Sequence, residues 1–274
     1  MKTSRLSAVS KLFAAVAIAA GALSLGWSGS AAAATEPARK ATVVLVHGAF
    51  AESASWNGVI ARLQAKGYPV IAVANPLHSV KGDSDYVADI VEHTQGPVIL
   101  VGHSYGGAVI SNAVHGQSNV KALVYVAAFA PEKGETAIEL SGRFPGGSLG
   151  PTLAPPVKLK DGSVDLYIQQ DKFPAQFAAD VPAKEAALMA ATQRPIAEAA
   201  LKEASGEPAW KTLPSWFIYG SADKNIPEAA LKFMADRAGS RATVDIKGAS
   251  HVVMVSHPDK VAAIIEDAAK ATAQ

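Results

Sequence analysis

Short apolar runs without polar alternation recur along this chain, and each precedes a segment with helical spacing of apolar residues. Residues 42–46 form the first run, and residues 56–66 follow it with apolar side chains three or four positions apart. A strand that is apolar on both faces is typical of a parallel sheet covered by helices. Strands that alternate with helices in this way are joined by right-handed crossovers. The sequence therefore predicts an α/β fold with a mostly parallel sheet of about six strands, flanked by helices.

The later predicted elements keep this order of strand and helix. The predicted strands after the first cover residues 69–73, 97–101, 120–127, 215–219 and 243–247. The predicted helices include one capped by Asp83 and others over residues 105–115, 228–238 and 259–271. One long insertion, at about residues 130–208, interrupts the pattern with many prolines and a Gly-rich stretch. Insertions without regular periodicity are usually functional, so we expect this one to form a lid over the carboxyl edge of the sheet.

Residues 1–34 have the three parts of a secretory signal peptide. A basic stretch precedes a largely apolar run of 14 residues, at positions 12–25. Alanines at positions 31–34 then provide the small residues that signal peptidase requires before Thr35. The apolar run is shorter than the roughly 17–25 residues that span a bilayer, which argues against a membrane anchor. We expect cleavage after Ala34 and a secreted or periplasmic protein that is not held in a membrane.

Charge and cysteine content exclude several classes of function. The first 34 residues hold three of the 25 basic residues and none of the 24 acidic ones, which leaves 22 basic and 24 acidic residues in the rest. This balance argues against nucleic-acid binding, which depends on neutralising phosphates. The chain has no cysteine, which excludes disulfides, thiolate metal sites and a thiol nucleophile. No group of His, Asp and Glu residues has the spacing of metal ligands, so we predict no metal and no organic cofactor.

The motif G-x-S-x-G stands between a predicted strand and a predicted helix. Val101 ends the strand, and Gly102, Ser104 and Gly106 follow within five residues. In this context the motif forms a sharp strand-to-helix turn that exposes a serine nucleophile. The helix that begins at Tyr105 directs its first amides at the Ser104 oxygen, where they stabilise negative charge. A dinucleotide fingerprint does not fit, because Ser104 occupies the position of its second glycine.

A serine hydroxyl needs a base within reach, and the chain offers seven histidines. His251 follows the last predicted strand and so lies at the carboxyl edge of the sheet, which makes it the predicted base. His47 directly follows the first strand, and His103 is expected to point away from Ser104 in so sharp a turn. The other four histidines are expected at loop, helix or boundary positions: His78, His93, His115 and His257.

The acid that orients the base is expected between the serine and the histidine in sequence. Asp223 comes just after the predicted strand 215–219, again at the carboxyl edge. Asp236 and Asp245 are the alternatives, but they fall within a helix and within a strand.

Acyl transfer also needs donors for the developing oxyanion. The amide of Tyr105, directly after the nucleophile, is one candidate. The loop after the first strand supplies the other, the amide of Ala49, because Gly48 allows a close approach of the backbone.

Five motifs of the chain together resemble the α/β-hydrolase superfamily: residues 43–50, 102–107, 125–129, 223–227 and 248–251. More narrowly, they are similar to the branch that holds salicylate-type methylesterases, hydroxynitrile lyases and small bacterial esterases. The resemblance spans the predicted mature chain apart from the lid. It implies the same five roles: Ser104 as nucleophile, His251 as base, Asp223 as its partner, and Ala49 and Tyr105 as oxyanion donors.

Two positions depart from the lyases of this branch. Those lyases carry a lysine directly after the catalytic histidine and a threonine after the histidine that ends the first strand, whereas this chain has Val252 and Gly48. Valine cannot stabilise a cyanide ion, so the resemblance implies an esterase. Ser104 also excludes the relatives with an aspartate nucleophile, the dehalogenases and epoxide hydrolases. Cofactor-free perhydrolases share the same three residues and stay an alternative.

The sequence thus predicts an exported carboxylesterase, with residues 35–274 as the α/β-hydrolase domain. It is expected to cleave small carboxylic esters through a Ser-His-Asp triad and an acyl-enzyme. The alternatives are a small-molecule receptor on a hydrolase scaffold, a perhydrolase and a hydroxynitrile lyase. The residues predict no oligomeric state. Four aromatic residues are candidates for contacts with the small-molecule ester: Phe50, Trp56, Phe129 and Phe144.

Overall fold

The computed structural model describes residues 40–114 and 116–273, and these residues build a central sheet of six strands. The predicted signal peptide, residues 1–34, lies outside the described residues. The first half of the fold consists, in chain order, of β1 (Thr42–Val46), α1 (Asn57–Ala65), β2 (Val70–Val73), α2 (Val80–Glu92), β3 (Val98–His103), α3 (Tyr105–Asn112) and β4 (Val120–Val126).

The insertion follows β4 and contains only short elements. They are α4 (Ala137–Gly142), β5 (Val157–Lys158), β6 (Val164–Leu166), α5 (Phe173–Phe177), α6 (Ala183–Thr192), β7 (Ile196–Ala197) and α7 (Glu198–Lys202). Strands β5, β6 and β7 pair in antiparallel fashion as a separate small sheet. The chain then returns to the central sheet with β8 (Ser215–Gly220), α8 (Glu228–Arg237), β9 (Ala242–Ile246), α9 (Val253–Ser256) and α10 (Pro258–Ala271).

The strand order of the central sheet is β2-β1-β3-β4-β8-β9, and every neighbouring pair is parallel. All five residues of β1 and all six of β3 are buried, as expected of strands whose central residues are all apolar, although β1 begins with Thr42 and β3 ends with His103. Helix α1 packs against α10, and α2 packs against α3. The predicted α/β fold with a parallel six-stranded sheet is confirmed. Its parallel order brings the carboxyl ends of β1, β3, β8 and β9 to one edge.

Two of the predicted boundaries that differ from the structure have a clear cause in hydrogen bonding. Asp83 does not cap α2, because the side chain of Ser79 accepts the amide hydrogen of Gly82 at that end. Asp83 lies inside the first turn, where its carboxylate is buried against another helix. Strand β3 continues two residues beyond the predicted end, to His103, because its last residues still pair with β1 and β4.

Within the described ranges, no helix combines the length and apolar character needed to cross a membrane.

Candidate active site

Ser104 occupies the sharp turn between β3 and α3. Its backbone has φ 52° and ψ −123°, a conformation that residues with a side chain rarely adopt and that stores strain. The turn is so tight that a Cβ atom on Gly102 would lie 2.5 Å from the carbonyl oxygen of Gly106. The sequence motif therefore folds as predicted, with the serine held in a strained position at the carboxyl edge of the sheet.

A chain of hydrogen bonds joins Ser104, His251 and Asp223. The Oγ atom of Ser104 lies 2.9 Å from Nε2 of His251, and Nδ1 of His251 lies 2.6 Å from Oδ2 of Asp223. All three residues are buried, with exposed fractions of 6% or less. Because an ionised carboxylate only accepts hydrogen bonds, Nδ1 carries the proton of the contact with Asp223, and Nε2 faces the Ser104 hydroxyl as a hydrogen-bond acceptor.

The loop after β8 holds Asp223 in place. Its Oδ1 atom accepts the backbone amides of Asn225 at 2.8 Å and Ile226 at 3.0 Å. Each carboxylate oxygen thus has its own partner, which fixes the direction of the bond to His251. The two alternative acids lie elsewhere, since Asp236 pairs with Lys232 on α8 and Asp245 pairs with Lys247.

His103 contacts both the backbone and the ring of His251, which the sequence did not predict. Its Nε2 donates to the backbone carbonyl of His251 at 3.2 Å, and the two ring centroids are 4.8 Å apart. Burial holds the pKa of His103 well below its usual value, so the ring is neutral. The only sequence signal was the position of His103 beside Ser104, and spacing alone does not show which way a side chain points.

The loop after β1 lies directly against the serine turn. His47 donates through Nδ1 to the carbonyl of Gly48 at 2.9 Å and accepts the amide of Asn75 at Nε2, at 3.1 Å. Burial lowers the pKa of His47 to about 4, which keeps this ring neutral. A Cβ atom on Gly48 would lie 2.6 Å from Cβ of Ser104, so the loop can come this close only with glycine there.

Ala49 and Tyr105 both line the cavity above Ser104. Neither of their amides is among the backbone donors of the described turns and loops. The phenol of Tyr105 donates its hydrogen bond to the buried carboxylate of Asp83, at 2.8 Å, and to no residue of the predicted triad. Both residues that the sequence singled out as oxyanion donors thus lie at the cavity, and their role stays a prediction.

The cavity at this edge of the sheet has a volume of about 320 Å³ and a mostly apolar wall. Residues 130–208 supply eleven of the nineteen residues that line it, which makes the insertion the main source of its shape. That the insertion acts as a lid over this edge stays a prediction. The apolar side chains of the wall include Phe50, Phe129, Ile138, Leu149, Leu153, Leu166, Phe177, Leu201 and Ile226.

Two of the four predicted aromatic contacts are not in the cavity wall. Trp56 is fully buried in the core, where its ring meets the edge of His103 with centroids 6.4 Å apart. Phe144 packs against Phe233 of α8 at 5.6 Å. The side chains of Trp56 and Phe144 thus pack within the protein, whereas those of Phe50 and Phe129 line the cavity.

Comparison with known proteins adds independent information. The family model described as Alpha/beta hydrolase family matches residues 43–264. The chain is 26% identical over 245 residues to the alpha-hydroxynitrile lyase of Arabidopsis thaliana, covering 81% of this chain and 95% of that protein. It is 28% identical to the pyrethroid hydrolase of Sphingobium wenxiniae over 85% of this chain and 89% of that one. The crystal structure of polyneuridine aldehyde esterase superposes with a TM-score of 0.72 at 18% identity, over 83% of this chain and 98% of that one, a likeness of fold.

Proposed function

Because the chain belongs to the alpha/beta hydrolase family, we propose that it is a serine carboxylesterase that cleaves small carboxylic esters through an acyl-enzyme on Ser104. Family membership and the esterase-type relatives support ester hydrolysis in general. The observation that carries the finer proposal is the buried hydrogen-bond chain from Ser104 through His251 to Asp223, at the floor of an apolar cavity.

The proposed reaction begins with attack of the Ser104 oxygen on the ester carbonyl carbon. His251 accepts the serine proton at Nε2, and Asp223 stabilises the imidazolium that forms. The amides of Ala49 and Tyr105 donate to the oxyanion of the tetrahedral intermediate, a contribution worth roughly 10²–10³ in rate per donor in such sites. His251 then protonates the leaving alcohol, and the acyl group stays on Ser104.

The second half of the reaction repeats this chemistry with water. His251 removes a proton from the water that attacks the acyl-enzyme, and the carboxylic acid leaves as Ser104 recovers its proton. The volume of about 320 Å³ lies at the lower end of ligand cavities, which favours small esters. Its largely apolar wall favours acyl and alcohol groups with few polar atoms.

A second candidate, a hydroxynitrile lyase, is favoured by the Arabidopsis relative. Such a reaction releases cyanide, and a buried anion without a partner is unfavourable. Val252 is fully buried and is not in the cavity wall, and the exposed Lys224 donates to the carbonyl of Ala175 at 3.2 Å. Among the described residues that line the cavity there is no lysine or arginine. Esterase chemistry therefore stays the better supported proposal.

Two measurements on the purified protein test the esterase proposal. Wild type is expected to turn over p-nitrophenyl acetate and to be labelled stoichiometrically by a fluorophosphonate, and Ser104→Ala is expected to lose both. Ser141→Ala is a matched control, because this second serine of the cavity wall donates its hydroxyl to the carbonyl of Ile138. Labelling without turnover would instead indicate a receptor. Turnover in Ser104→Ala at a tenth of the wild-type rate, with native circular dichroism, would refute the nucleophile.

We also propose that the protein is exported. The support is in the sequence alone: a basic stretch, an apolar run of 14 residues and small residues before Thr35.

A further inference from the structure

Glu198 is the one carboxylate among the described residues of the cavity wall. It is the first residue of α7, and Leu201, three positions later, lines the same cavity. Residues three apart share a helix face, so this face of α7 is directed at the cavity. Helix α4 contacts α7 and adds Ile138 to the same part of the wall.

Glu198 lies towards the end of the cavity that reaches solvent. Its side chain is 43% exposed, and Ile138 in the neighbouring wall is 48% exposed. Ser104 and His251, by contrast, are at most 6% exposed. The carboxylate therefore lies on the exposed part of the cavity wall, whereas the serine lies on its buried part.

The positive partner of Glu198 stands outside the cavity. Nζ of Lys202 is 2.7 Å from Oε1 of Glu198, on the next turn of α7, and its side chain is 54% exposed. Lys202 is not among the wall residues. Exposed ion pairs of this kind are weak and screened by salt, so the carboxylate keeps a negative potential on the cavity side.

We propose that Glu198 makes the cavity selective for charge: it admits neutral and cationic esters and repels anionic esters and the acid product. This inference rests on the proposed esterase function. Hydrolysis of an ester by water yields an alcohol and a carboxylic acid that ionises at neutral pH. The product thus carries a negative charge that the substrate lacked. A fixed carboxylate near the opening weakens binding of the product alone and so speeds its release.

Matched methyl esters test this selectivity through kcat/KM, followed by acid release in a pH-stat at low ionic strength. Monomethyl glutarate is anionic, and methyl 5-methylhexanoate has nearly the same shape without charge. Methyl 4-(trimethylammonio)butyrate is cationic, with methyl 5,5-dimethylhexanoate as its neutral counterpart. For wild type we expect the anionic ester to fall about tenfold or more below its neutral counterpart, and the cationic ester to equal or exceed its own.

Three substitutions separate charge from shape. Glu198→Gln is expected to raise the anionic-to-neutral ratio of kcat/KM about three- to tenfold, and to lower the inhibition constant of 5-methylhexanoate by the same factor. Lys202→Gln is expected to lower the anionic-to-neutral ratio of kcat/KM and to raise the inhibition constant, because it removes the positive partner of the carboxylate. Glu185→Gln on α6, which is exposed and not in the wall, is the control and leaves both unchanged. In 0.5 M salt we expect wild type and Glu198→Gln to differ less in the anionic-to-neutral ratio of kcat/KM and in the inhibition constant, because salt screens the carboxylate.

An anionic-to-neutral ratio and an inhibition constant that are the same in Glu198→Gln and wild type at low salt would refute the inference. Failure of the esterase proposal gives a different result, namely no hydrolysis of any of the four esters. In that case, calorimetric binding of the uncleaved esters to Ser104→Ala measures the charge preference without catalysis. Equal affinity for the anionic and neutral esters there would refute the charge selectivity independently.

Discussion

Replacing Tyr105 with phenylalanine removes one hydroxyl from a fully buried contact behind the serine turn. That hydroxyl donates to Oδ2 of Asp83 at 2.8 Å, and Asp83 is only 1% exposed. The other carboxylate oxygen accepts the amide of His78 at 3.2 Å. Loss of a hydrogen bond to a buried charged group destabilises a protein by about 1.5–3 kcal/mol. We expect Tyr105→Phe to lower the free energy of unfolding by about 2 kcal/mol at pH 8, a fall in Tm of about 4–8 °C for a domain of this size.

The pH dependence of this loss identifies its cause. Burial raises the pKa of Asp83, and the hydrogen bond from Tyr105 opposes that rise. Removal of the hydroxyl therefore raises the folded-state pKa of Asp83 further. A carboxyl group whose folded-state pKa is raised favours folding most when protonated, and this benefit is lost as the pH rises through that pKa. The difference in free energy of unfolding between wild type and Tyr105→Phe is thus largest at pH values above the folded-state pKa of Asp83 in both proteins. It shrinks as the pH falls towards 4.

Denaturant unfolding at pH 4 and pH 8 measures the loss of unfolding free energy and its dependence on pH. Asp83→Asn is the matched background, because it keeps an acceptor for the phenol but carries no charge. In that background we expect Tyr105→Phe to lower the free energy of unfolding by only about 1 kcal/mol, equally at both pH values. A loss below about 0.5 kcal/mol at pH 8 in the Asp83 protein, or one that does not change with pH, would show that the buried ion is not what the hydroxyl stabilises.

Three further predictions concern the turn, the reaction and export. Gly102→Ala is expected to leave little folded protein at 37 °C by circular dichroism, because its methyl group would meet the backbone of Gly106; a variant with native Tm would contradict the reading of the turn. Wild type is expected to release no more benzaldehyde from mandelonitrile than Ser104→Ala does, and release comparable to ester turnover would favour the lyase. Secreted protein is expected to begin at Thr35 or within a few residues of it by N-terminal sequencing, and an intact Met1 would exclude cleavage.

The parts of the fold that follow from local pattern were predictable from sequence. Runs of β-branched residues predicted β1 and β3 because a fully buried strand has no polar alternation. The motif around Ser104 predicted a sharp turn, because strand and helix can approach so closely only with glycine at positions 102 and 106. The order of strands then placed Asp223 and His251 at the same edge. The resemblance to α/β hydrolases, drawn from motifs alone, is confirmed by the family match.

The parts that depend on contacts between distant residues were not predictable. Asp83 looked like a helix cap because nothing in the local sequence reveals a phenol 22 residues away. Trp56 and Phe144 looked like cavity aromatics because composition does not tell which face a ring occupies. Strands β5 and β7 have two residues each, too few to show a period. Glu198 gave no signal at all, since its position in the wall depends on how the insertion folds over the sheet.

The proposed catalytic residues are supplied by widely separated parts of the chain. Ser104 comes from the middle, but His251 lies 147 residues later, just beyond β9 at the edge of the sheet. Contacts of such large sequence separation form late in folding, since the loop between them must be closed first. A ribosome-bound or partly translocated chain that lacks β9 thus has a serine but no base. Under the proposed mechanism, hydrolysis reports that the chain has been made and folded at least as far as His251, and an intermediate that lacks β9 and the loop after it is inactive.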